Sequence, residues 1–134
     1  MLLVTKYKQI AIHRQPSDVV TNYIHYPIAI VLCSLISSTV ITPNIITFLA
    51  LITELLAVWL IYLDLVQYSI IIVILLQLGW IFDLMDGMLA RYKKLGSCNP
   101  NNPTLKGAYF DAVSDHIKKF VIIGSLSYQL SFIH

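Results

Sequence analysis

Charged side chains are scarce in this chain of 134 residues: 12% are Asp, Glu, Lys or Arg, while 57% are hydrophobic. A soluble domain carries roughly 25% charged and roughly 45–50% apolar residues. The imbalance argues against a water-soluble globule and for an integral membrane protein. A net charge of +2, with no basic run and no ladder of aromatics, gives no support to a nucleic-acid partner. Cysteine is nearly absent. Cys33 and Cys98 stand far apart with no C-x-x-C, so neither a disulfide framework nor a zinc site is supported, and two free structural thiols are expected. Met1 to Lys8 lacks a long apolar core and an A-x-A site, which argues against a cleaved signal peptide. There is no internal repeat and no low-complexity segment.

What is present is a series of apolar stretches. Residues 5–26 are polar and mixed, with Lys6, Lys8, His13 and Arg14 ahead of Pro16-Ser17-Asp18. Ser17 or Asp18 suits a helix N-cap before the stripe Val19, Val20, Tyr23 and Ile24. Pro27 to Ile41 is apolar but 15 residues long, short of the roughly 20 that a bilayer span requires. Residues 18–41 are therefore expected to form an interfacial helix, with a tilted span as the alternative. Thr42 is a candidate cap and Pro43 a favoured first helical residue for a span over 44–63. Glu54 lies at the middle of that span, where an ionisable group needs a polar partner on a neighbouring helix such as Gln77. It serves either as a hydrogen-bonded packing residue or in chemistry. Two further spans are expected over 68–91 and 107–134, joined by a polar loop, 92–106. Arg91, Lys93, Lys94, Lys118 and Lys119 fall on one side and the Asp64 turn on the other, so the first side is expected to face the cytoplasm. Tyr62, Tyr68 and Trp80 are candidate interfacial anchors.

The densest polar set lies between the last two spans. Asp83 and Asp86 are followed by Gly87, Ala90 and Arg91, and Gly107, Asp111 and Asp115 recur every four residues. On helices, the first group shares one face and the second shares another. Four carboxylates then converge beside small residues that admit a close backbone or ligand. Without cations such a set would repel or take up protons. Oxygen-only ligands suit magnesium, manganese or calcium rather than zinc.

The string Asp83-x2-Asp86-Gly87-x2-Ala90-Arg91, then Gly107-x3-Asp111-x3-Asp115, resembles the signature D-x2-D-G-x2-A-R-x8-G-x3-D-x3-D of the CDP-alcohol phosphatidyltransferase family. Thr42-Pro43-Asn44-x2-Thr47 resembles the string that opens the first spanning helix in many members. The departure is the connecting loop, Tyr92 to Lys106, which is longer than the family's. Its surplus, Gly96 to Pro103, reads as solvent-facing turn.

The resemblance implies an all-α, polytopic helical membrane protein with a six-helix bundle. The interfacial helix and three spans read here are then an N-terminal fragment of it, or a chain whose remaining walls come from another polypeptide. It also implies a transferase of phospholipid biosynthesis, moving a substituted phosphoryl group from a CDP-alcohol such as CDP-diacylglycerol to an alcohol acceptor with release of CMP. Asp83, Asp86, Asp111 and Asp115 would hold two Mg2+ or Mn2+ ions, with Asp115 also the general base. Gly87, Ala90, Arg91 and Thr104 would meet the cytidine nucleotide. Membrane lipids and a second copy of the chain are the implied partners. Two rivals make different predictions. A cation-coupled transporter would place its carboxylates near the midplane on broken helices. An intramembrane prenyltransferase would release pyrophosphate, and those enzymes space their aspartates differently.

Overall fold

The computed structural model describes residues 2–15 and 17–131, and among these there are helices and turns but no strand. The helices are α1 (Leu2–Ala11), α2 (Tyr26–Ile36), α3 (Pro43–Asp64), α4 (Ser69–Tyr92) and α5 (Lys106–Ser131). A π-helical turn, Thr21–His25, leads into α2, and a short 3-10 turn, Gly96–Cys98, follows α4.

Helices α3 and α4 are both long and apolar enough to cross a membrane. At 1.5 Å per residue their 22 and 24 residues exceed the roughly 30 Å of a bilayer core. Their outward faces carry Trp59, Ile70, Ile71 and Val73, as lipid contact requires. Helix α5 has the length for the third expected span, at 26 residues. Its first half, however, carries Lys106, Asp111, Asp115, Lys118 and Lys119, and only from Phe120 does it become apolar. It does not meet the composition of a clean span, and the last three residues of the expected 107–134 segment lie outside the described ones.

The spans open and close by identifiable local chemistry. Pro43 takes the first position of α3 after an extended Thr42. The Thr42 side chain makes no capping bond, contrary to expectation; its carbonyl instead accepts the Ile45 N–H at 3.1 Å. At the end of α4, Lys94 adopts a left-handed φ of 52° and the Leu95 N–H reaches back to the Ala90 carbonyl at 2.9 Å, which stops the helix. Gly96, with φ of 61°, continues the reversal at a conformation glycine adopts without strain.

The segment read as interfacial forms a helix through Ile36. Asp18 does cap its start: one carboxylate oxygen accepts the Thr21 N–H at 3.0 Å. Side-chain and backbone bonds from Thr21 hold its pKa down at about 2. One face buries Tyr26, Ala29, Ile30 and Cys33 against α4, and the other exposes Ile28, Val31 and Leu35. Helix α1 was not legible in the mixed polar sequence before it. It docks through Ile10, wholly buried in a core with Tyr26, Ile30, Ile46, Ile81, Met85 and Met88. Cys33 is a buried free thiol donating to the Met85 carbonyl at 3.4 Å, and Cys98 is free and exposed.

Helix α3 packs along both α4 and α5, whereas α4 and α5 have no Cα atoms within 8 Å of one another among the described residues. A cleft between them is thus backed by α3. It lies at the N-terminal ends of α3 and α5 and the C-terminal end of α4.

Candidate active site

Each wall of this cleft contributes polar groups at helical spacing. From α3 come Asn44, Thr47 and Glu54, from α4 Asp83 and Asp86, and from α5 Asp111, Asp115 and Lys118. Asp83, Asp111 and Asp115 each place one carboxylate oxygen within 4.8 Å of the others. Asp86 is turned beside that trio. It is buried, and its carboxylate accepts a hydrogen bond from the Thr47 hydroxyl. Asp86 and Asp111 then line one cavity of about 500 Å3.

Gly87, Ala90 and Arg91 line the same cavity, on the α4 side. A Cβ on Gly87 would meet the Arg91 guanidinium at 3.4 Å, an ordinary contact. Its bareness therefore serves the open space rather than the packing. Arg91 is positioned from outside the span: its Nε donates to the His13 carbonyl at 2.8 Å. Gly107 lets the start of α5 approach α3, because a Cβ there would stand 3.3 Å from the Asn44 Oδ1.

The long loop does not face solvent alone. Its Gly96, Ser97, Cys98 and Thr104 line the cavity, and the Thr104 N–H closes the turn on the Gly96 carbonyl at 3.1 Å. The rest of the surplus, Asn99 to Pro103, does not line the cavity and is exposed apart from a half-buried Asn99, in keeping with the expected solvent-facing turn. The left-handed backbone of Lys94 and Gly96 bends the chain back over the end of α4.

One expectation is corrected. Gln77 is not the partner of Glu54; it bonds the His25 ring at 2.5 Å. Glu54 instead faces Lys118, 3.7 Å from its Nζ. Lys118 is buried among these carboxylates. It is 4% exposed and its ammonium sits 2.8 Å from Asp83 Oδ1 and 2.7 Å from Asp115 Oδ1. The sequence carried a clue, since Lys118 stands three residues after Asp115 and shares its helical face. Lys119, its neighbour, is exposed.

The donor set fits a hard divalent cation. It consists of carboxylate oxygens, without sulfur or imidazole, and the buried Asp111 Oδ1 has no hydrogen-bond partner. A buried carboxylate oxygen left without a donor is costly, and a cation would satisfy it.

Fold and cleft together describe a helical protein with two helices long and apolar enough to cross a membrane and a carboxylate cluster whose donors suit a divalent cation. Residues 40–133 match the family model of CDP-alcohol phosphatidyltransferase, and the chain belongs to that family. The family comprises CDP-alcohol phosphotransferases, is membrane-associated and typically uses a divalent metal. No curated protein and no solved structure matches the chain.

Proposed function

We propose that the chain transfers a substituted phosphoryl group from a CDP-linked alcohol, of which CDP-diacylglycerol is the first candidate, to an alcohol acceptor. The observation that carries this reading is the shared cavity of Asp86, Asp111, Gly87, Ala90 and Arg91 beside the Asp83–Asp111–Asp115 cluster. A nucleotide diphosphate in that cavity would lie next to cations held by the cluster. The unbroken α3, α4 and α5, with the cluster at their ends, weigh against a transporter.

In this reading Asp83, Asp86, Asp111 and Asp115 hold two divalent ions, which when bound neutralise the pyrophosphate and the charge that develops on the reacting oxygens. Gly87 and Ala90 leave room for the cytidine nucleotide. Arg91, fixed by the His13 carbonyl, offers its remaining guanidinium N–H groups to phosphate. Asp115 takes the proton of the acceptor hydroxyl. The oxygen so freed bonds to the phosphorus bearing the alcohol, the bond from that phosphorus to the CMP phosphate oxygen breaks, and CMP leaves. Thr104 contacts the nucleotide from the loop. The site faces the cytoplasm, α2 lies in the membrane interface, and the active unit is a homodimer of six-helix bundles. These finer statements rest on charge placement and on the family.

Purified protein in detergent–lipid micelles is expected to release CMP from CDP-diacylglycerol only with magnesium or manganese and an alcohol from a mixture of candidates. Pyrophosphate release from a prenyl diphosphate, or cation flux without nucleotide turnover, would overturn the reading. The placement of the nucleotide has its own test. Cys98 borders the cavity and is exposed while Cys33 is buried, so a maleimide should modify Cys98 alone. CDP with magnesium should slow that reaction several-fold, and an unchanged rate would move the nucleotide elsewhere.

A further inference from the structure

Lys118 occupies a position that a merely structural ion pair does not require. Its ammonium lies between Asp83 and Asp115, at 2.8 and 2.7 Å, with Glu54 at 3.7 Å on the α3 side. Two of these three carboxylates belong to the trio whose oxygens cluster within 4.8 Å. A divalent ion bound by Asp83 and Asp115 needs their oxygens at roughly 2.0–2.6 Å, in the space where Nζ now sits. Two cations cannot share it, because their repulsion in a poorly solvated site far exceeds that in water. The third carboxylate differs from the other two. Glu54 is held against α4 at Gly79, where even a Cβ would lie 2.8 Å from its Oε1. Glu54 is therefore held beside α4 at Gly79, within reach of the ammonium but outside the clustered trio.

We infer that Lys118 is a built-in counter-cation of the carboxylate cluster, competing with the divalent ion for Asp83 and Asp115, and that Glu54 receives its ammonium when the ion binds. The inference rests on the reading of the cluster as a cation site. It makes Lys118 and Glu54 positioning residues that set metal affinity without being ligands. The flexible four-carbon stem of lysine allows the shift, and the Asp111 Oδ1, which has no partner, stays open to a first ion meanwhile.

The test is Mn2+ binding to the full chain in detergent without substrate, read as free Mn2+ by electron paramagnetic resonance. Lys118→Met is expected to tighten Mn2+ binding about tenfold or more, within the usual range of coupling between two bound species. Lys118→Gln, with a neutral polar end, should do the same and stands in if the Met variant does not fold. Lys118→Arg keeps the charge and should not tighten binding. Glu54→Gln should weaken binding several-fold in the wild-type background and have no effect in the Lys118→Met background. Equal affinity in wild type, Lys118→Met and Lys118→Gln would overturn the inference while leaving the cation site standing. A Glu54→Gln effect that persists without Lys118 would overturn the role given to Glu54. Absence of Mn2+ binding in every variant would remove the cation site itself, and the inference with it.

Discussion

Asp115→Asn is expected to lower CMP release by about 10^3-fold, inside the 10^2–10^4-fold range of a general base, with little loss of stability. Asparagine keeps the volume of the side chain, so the cleft should retain its shape. What disappears is one charge of the cluster and, on the proposed mechanism, the group that accepts the hydroxyl proton. Two observations keep the structural cost small. Asp115 is 31% exposed at its side chain, so its end of the ion pair with Lys118 remains open to solvent. Lys118 also retains Asp83 and Glu54. The check is CMP release measured beside a thermal melt of the same preparation. Activity within tenfold of wild type would remove Asp115 from proton transfer. A collapsed melt would instead make its role structural.

The second large effect separates two glycines on one helix. At Gly79 a new side chain meets Glu54, with Cδ 3.0 Å and Oε1 2.8 Å from the Cβ position, closer than packed atoms tolerate. Gly79→Val must therefore displace Glu54 from between α3 and α4, the most extensively packed pair of helices. Overpacking of this kind costs about 1–3 kcal/mol, and here it also withdraws a carboxylate from a buried ammonium. A melting temperature lower by several degrees is expected. Gly87→Val should melt as wild type does, since its Cβ finds only an ordinary contact with Arg91, yet it fills nucleotide space and should abolish CDP binding. The pair is read by a melt and by CDP titration. A stable Gly79→Val protein, or a Gly87→Val protein that binds CDP, would contradict the assignment of packing to one and ligand space to the other.

The parts of this molecule that were legible in the sequence are those set by local pattern. Residue composition marked α3 and α4, the pair Ser17-Asp18 marked a helix start that Asp18 supplies, and the spacing of Asp83, Asp86, Asp111 and Asp115 placed them on facing helices. What escaped depends on contacts between distant residues. Ile10 becomes a core residue only when α1 meets α2 and α4, and nothing in Leu2–Ala11 states that meeting. The partners of Glu54 and Gln77 were exchanged because a span sequence gives depth along the membrane normal but not rotation about the helix axis. Thr42 had the right residue type for a cap, but its side chain forms no capping bond. Asn and Pro marked the solvent-facing part of the loop after α4, but composition did not reveal that the backbone at Lys94 and Gly96 turns Gly96, Ser97, Cys98 and Thr104 onto the cavity.

The bond from Arg91 to the His13 carbonyl has a practical consequence. The family-matched region begins at residue 40, yet the orientation of a site arginine is fixed from residue 13. Ile10, Tyr26, Ile30 and Cys33, all upstream of that boundary, complete the core beneath the carboxylate-bearing end of α4. The smallest autonomous unit is thus larger than the family domain. An expression form trimmed to that domain would present a solvent-exposed apolar flank and an untethered guanidinium, and its inactivity would say nothing about the aspartates.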